Sequence, residues 1–236
     1  MVHAELPIDM SLTAKANGVC SKCGRTTEIT IYKSINTADD PSLREKVRNG
    51  SLFLWGCPHC GTVNLARYET LYHDPEKKLM LWLVPDGKIS ETQMQAITNH
   101  TKAMGGYTLR LVRDMGELME KVLIFDAGLD DVVLELCKWV TKREMTSDAG
   151  KETRLEEKQR NDEIRDAVFH FYRTEGEGDD RTIIFSYASK GQMTGLKIGW
   201  NVYEDCEGII RRNPSVRPGE GFVRVDAAWL DTVVKG

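Results

Sequence analysis

The 236-residue sequence has no glycine-rich phosphate loop, no G-x-S-x-G elbow and no H-E-x-x-H pair. The motifs that most readily announce nucleotide, acyl-transfer and metalloprotease chemistry are therefore missing together. It also has no run of about 18 apolar residues, which excludes a transmembrane helix of the hydropathic kind. Nor is there a basic excess: 32 Lys and Arg stand against 36 Asp and Glu, for a net charge of −4. Residues 1–86 are neutral, with 10 basic and 10 acidic side chains. Modules that hold nucleic acid present a basic face to phosphates, so this balance disfavours DNA and RNA as partners. No basic segment followed by an apolar one opens the chain, and the expectation is a soluble, cytoplasmic protein without membrane association.

Cysteine is scarce, at six residues, yet four of the six stand as two knuckles: Cys20-Ser21-Lys22-Cys23-Gly24 and Cys57-Pro58-His59-Cys60-Gly61. Each C-x-x-C-G turn lets two thiolates reach one ion, and the glycine permits a tight backbone whose N–H groups point at sulfur. The pattern predicts one structural Zn2+ held by Cys20, Cys23, Cys57 and Cys60. A shell of four thiolates leaves no position for water or substrate, so it belongs to folding rather than to catalysis. A redox dithiol would need one motif at a strand-to-helix turn, and two disulfides would strain across a two-residue gap. Both alternatives fit less well than zinc.

The knuckles are separated by 33 residues, from Gly24 to Gly56. That is longer than the roughly 15–20 of many such sites. The excess is explained by a strand near Glu28–Tyr32 and by an inserted helix with Asp39 and Asp40 as caps, Pro41 at its first turn and Gly50 at its end. Thr62–Tyr72 and Lys78–Val84 read as strands joined by a turn over 72–77. Further helices are expected at 90–104, from Asp114 to Gly128, and from Asp130 onward, the last two as an αα-hairpin. Residues 146–162 carry nine charges in seventeen positions and read as a charged linker or helix. The expected fold class is α+β: a zinc-ribbon-like β-module with an inserted helix, the helical hairpin, and a small C-terminal α+β domain. The expected division is 1–16 as a loosely ordered lead-in, 17–145 as the zinc-binding domain, 146–162 as the linker, and 163–236 as the C-terminal domain.

The knuckles, taken with Tyr72-His73-Asp74-Pro75-Glu76-Lys77-Lys78-Leu79 and Leu123-Ile124-Phe125-Asp126-Ala127-Gly128-Leu129-Asp130-Asp131, resemble the CpXC-domain family over roughly residues 17–145. The second knuckle matches its Cys-Pro-x-Cys pattern, while the first carries Ser21 where proline is usual. The resemblance implies a metal-binding family with the four cysteines as ligands, and it supplies no catalytic residue.

Other candidates weigh less. His59 inside the second knuckle is expected to be exposed, with four thiolates already available. His73 beside Asp74 could serve as the base of a hydrolase or transferase with a cleft site, but neighbouring residues seldom point together, and a turn is the better reading. Glu175, Glu177, Asp179 and Asp180 lack the spacing of a calcium loop and read as a solvated hairpin. Cys137 and Cys206 fall on helical faces and are expected to be packing residues. Together these features point to a zinc-binding protein that serves interaction or scaffolding, has an unidentified protein partner, and is more plausibly not an enzyme.

Overall fold

The computed structural model describes residues 10–146 and 155–234. Residues 1–9, most of the expected lead-in, and 147–154, within the expected charged linker, lie outside the described residues. The architecture is mixed α+β, with seven α-helices and three sheets among the described residues. The chain forms two compact units, one of 1–122 with 219–224, the other of 123–218 with 225–236. No helix among the described residues is long and apolar enough to cross a membrane.

The first unit opens with an antiparallel hairpin of β1 (Leu12–Val19) and β2 (Thr26–Asn36), joined through the first knuckle. Helix α1 (Ser42–Arg48) follows, then a second hairpin of β3 (Leu54–Gly56) and β4 (Val63–Leu65), joined through the second knuckle. Next come β5 (Thr70–Asp74), β6 (Leu79–Leu83), α2 (Glu91–Met104), β7 (Thr108–Val112) and α3 (Met115–Asp126). The larger sheet has the order β1-β2-β5-β6-β7, parallel at β2/β5 and β6/β7 and antiparallel elsewhere. Leu71, Met80, Trp82, Val84, Ile97, Leu109 and Phe222 form its buried cluster. Phe222 meets Trp82 edge-on at 5.3 Å, and its segment reaches the sheet edge through an Arg110–Val223 bridge.

Three local expectations need correction. The single strand expected over Thr62–Tyr72 divides into β4 and β5, which lie in different sheets. Residues 12–16, assigned to the lead-in, belong to β1. The inward positions Ala14, Ala16 and Gly18 carry too little apolar bulk to show alternation, and they are small for a reason. A Cβ at Gly18 would stand 2.9 Å from the Trp55 ring of β3, so the two hairpins meet where a larger side chain would not fit. His73 and Asp74 likewise end β5 instead of entering a turn, and both are buried. Asp74 Oδ2 accepts from Arg44 Nη2 of α1 at 2.6 Å, while Oδ1 accepts from Lys77 N at 3.2 Å. Partnered in this way, a carboxylate can sit inside a strand that hydropathy alone would end earlier.

Helix α1 is seated by its own short sequence. Ser42 donates to Asp40 Oδ1 from both N and Oγ, at 3.0 and 2.7 Å, and Leu43 and Val47 are fully buried. In α3, Asp114 Oδ1 accepts from Glu117 N, and Glu117 Oε2 reaches back past the cap to accept from Arg113 N.

The second unit takes up the end of α3, α4 (Asp131–Met145), α5 (Leu155–Asp166), and a meander of β8 (His170–Glu175), β9 (Thr182–Ser189) and β10 (Gln192–Gly199). Helices α6 (Trp200–Arg212) and α7 (Ala227–Val234) complete it. Helix α4 packs on α5, α6 and α7. Its N-cap Asp130 accepts from Val132 N at 2.9 Å, donates its own N–H to Tyr203 Oη at 3.0 Å, and pairs with Arg217. Helix α6 begins one residue before Asn201 and has no side-chain cap, so Asn201 lies in its first turn.

Candidate metal centre

The two hairpin loops deliver the thiols in matching turns. In the first, Gly24 N donates to Cys20 O at 3.0 Å and Cys20 N to Arg25 O at 3.0 Å; in the second, Gly61 N donates to Cys57 O at 2.9 Å and Cys57 N to Thr62 O at 2.9 Å. Gly24 and Gly61 have φ of +68° and +71°, where an L side chain is strained. The four Sγ atoms lie within 4.8 Å of one another. The closest pairs bridge the knuckles, Cys20 to Cys60 at 3.6 Å and Cys23 to Cys57 at 3.7 Å. Four sulfurs around zinc at about 2.3 Å would be separated by about 3.8 Å, so the donor set fits a tetrahedral ion.

Crowding the thiols divides their acidities. The Cys23 and Lys22 N–H groups, with the neighbouring thiols, hold Cys20 down to about 6 despite its burial. Thr62 lowers Cys60 through its hydroxyl and its N–H, the hydroxyl lying 3.4 Å from Sγ. Arg25 N–H pulls Cys23 down as well, but burial and the other three thiols outweigh it and push Cys23 up to about 11. Once one thiolate has formed, its neighbours resist ionising unless a cation compensates them. A divalent ion is such a cation.

The flanks of the centre are exposed. Leu54 stands directly opposite Leu65, and Val63 shares their face, which leaves these three apolar side chains open to solvent. Val19, adjacent to Cys20, is 64% exposed. His59 is also exposed, and its Nδ1 accepts from Arg25 Nη1 at 3.2 Å, outside the thiol set.

The matching sequence profile is described as CpXC protein and spans residues 19–138, half of the chain. The chain belongs to the CpXC family. No curated protein and no solved structure matches it. Within this CpXC chain, the residues singled out beyond the knuckles are not brought to a common site. His73 is 3% exposed, with Nε2 2.9 Å from Tyr107 Oη, and strand alternation turns Asp74 to the opposite face, toward Arg44. A cleft of about 660 Å³ edged by Arg67, Glu69, Asp86, Lys88 and Arg113 contains neither His73 nor any knuckle cysteine. A smaller cleft of about 200 Å³ has Tyr107 in its wall. Glu175 is paired with Arg173 and Lys197, which lower its pKa and occupy it as a cation ligand. Cys137 and Cys206 are buried on α4 and α6 of the second unit.

Sequence reasoning missed Asn64. It is buried on β4, its Nδ2 is 3.7 Å from Cys20 Sγ, and its Oδ1 accepts from the first knuckle. A polar residue on a strand whose neighbours Val63 and Leu65 are apolar was the available signal. The alternation inverts there, apolar outward and amide inward.

Proposed function

We propose that the chain is a zinc-stabilised protein-interaction module. Cys20, Cys23, Cys57 and Cys60 would hold one structural Zn2+ in a zinc-ribbon-like pair of hairpins, with α1 as the helix inserted between the knuckles. The observation that carries the metal assignment is the convergence of four thiols from two matching turns at tetrahedral spacing. The exposed Leu54, Val63 and Leu65 support the interaction reading, since they form an apolar face on the same hairpin that carries the second knuckle. The neutral charge of residues 1–86 supports a protein partner over a nucleic acid. Ligands kept as thiolates also fit a reducing compartment such as the cytoplasm.

The test has two arms. Metal analysis of the purified chain should give one zinc per molecule, and Cys57→Ala should lose it together with cooperative melting. Structural zinc is worth about 10–16 kcal/mol at neutral pH, as much as a domain's whole stability. In the second arm, Leu54→Asp/Leu65→Asp should keep zinc and fold but lose a partner retained by the wild-type chain. A zinc-free wild type sinks the metal assignment, and an unchanged partner set for the double variant sinks the interaction face.

A further inference from the structure

Asn64 stands on β4, four residues beyond the last ligand, yet most of its bonding is directed across to the first knuckle. It is 7% exposed. Its Oδ1 accepts from Ser21 N and from Ser21 Oγ, each at 2.8 Å. Its Nδ2 donates to Thr62 O at 2.9 Å and approaches Cys20 Sγ at 3.7 Å. The orientation of the carboxamide is not arbitrary. The Ser21 N–H can only donate and the Thr62 carbonyl can only accept, so the oxygen must face the first knuckle and the nitrogen must face Thr62. Two acceptor sites and two N–H groups are thereby all engaged, which is full satisfaction for a buried amide.

This network gives a role to Ser21, which stands in the first knuckle where the second has Pro58. A proline after the first cysteine has neither an N–H nor a hydroxyl, and so could give nothing to Asn64 Oδ1. Ser21 gives both. The serine and the asparagine are complementary: the first exchanges the stiffness of proline for two donors, and the second gathers those donors while reaching the sulfur of the adjacent ligand.

We propose that Asn64 is the positioning residue of the metal centre, coupling the two knuckles through Ser21 and donating a hydrogen bond to the Cys20 thiolate. The proposal rests on the zinc assignment above. An N–H directed at a metal-bound thiolate withdraws charge from sulfur, which suits a centre where four thiolates and one divalent ion leave an excess of two negative charges. Outer-shell partners of this kind typically change metal affinity by about 10–100-fold when removed.

The experiment uses the full chain and chelator competition for zinc, with the cobalt-substituted protein as a spectroscopic probe. Asn64→Asp keeps the size and the oxygen that accepts from Ser21 but loses the donor to sulfur and adds a negative charge; Asn64→Ala loses everything. Both should bind zinc about 10–100-fold more weakly. Both should also shift the thiolate-to-cobalt charge-transfer absorption, a signature that a merely space-filling role would leave in place. Ser21→Pro is the companion variant: it should weaken zinc in the wild-type background and add little on top of Asn64→Ala. Affinities within twofold of wild type with an unmoved absorption band overturn the proposal. Additive effects of Ser21→Pro and Asn64→Ala overturn the coupling. If the wild-type chain fails to bind zinc through its four thiols, the metal assignment fails first and this inference falls with it. That result is distinguishable from the others because it needs no variant.

Discussion

Cys20 and Cys23 belong to one knuckle and are driven in opposite directions, one toward the thiolate and the other away from it. Cys20 is held down to about 6, so at pH 7 its proton is already gone before metal arrives, whereas Cys23 is pushed up to about 11 and keeps its proton until a cation displaces it. Zinc uptake at pH 7 should therefore release fewer than four protons per ion, a quantity read by calorimetry in buffers of different ionisation enthalpy. The sign for acidification follows: protons compete for the same sulfurs, so zinc affinity should fall as pH drops, and more steeply below about 6, where free Cys20 too carries a proton that the ion must displace. Release of a full four protons at pH 7 would contradict the lowered Cys20.

At the scale of elements, α1 is tied to the sheet through one carboxylate. Asp74, buried at the end of β5, receives Arg44 from α1, and Arg44 also reaches the exposed Glu76 at 3.3 Å. Asp74→Ala should cost about 2 kcal/mol, a charged hydrogen bond left without its acceptor and only partly replaced by Glu76. Asp74→Asn, which can still accept from Lys77 N, should cost less; equal midpoints in urea for the two variants would refute this ranking. Much of this layer was legible in the sequence. The capping residues Asp40, Ser90 and Asp114 mark helices that form, and the apolar run of β6 marks a strand buried on both faces. What escaped was polar or small. β1 hides because Gly18 must leave room for Trp55, the end of β5 hides because its last residues are a buried histidine and aspartate, and Asn64 hides because its partners lie 43 and 44 residues away in the chain. Local patterns record periodicity and caps, and they carry no record of such pairings.

The whole molecule is divided in a way that no local composition marks. The line between the units passes through α3, between Val122 and Leu123, inside an unbroken apolar helical run. The segment 219–224 then rejoins the first unit and places Phe222 in its core against Trp82. Phe222→Ala should destabilise the full chain by about 3 kcal/mol, measured by denaturant unfolding. An effect below a few tenths would mean that the segment only lies along the sheet edge. Protein chains emerge from the ribosome from the N-terminus at about 5–20 residues per second, and domains generally fold as they appear. Here the knuckles can meet as soon as residue 60 is free, but the five-stranded sheet that the first of them joins receives Phe222 only more than a hundred and fifty positions later. A metal bound by the four thiols would hold that early-made end together during that interval.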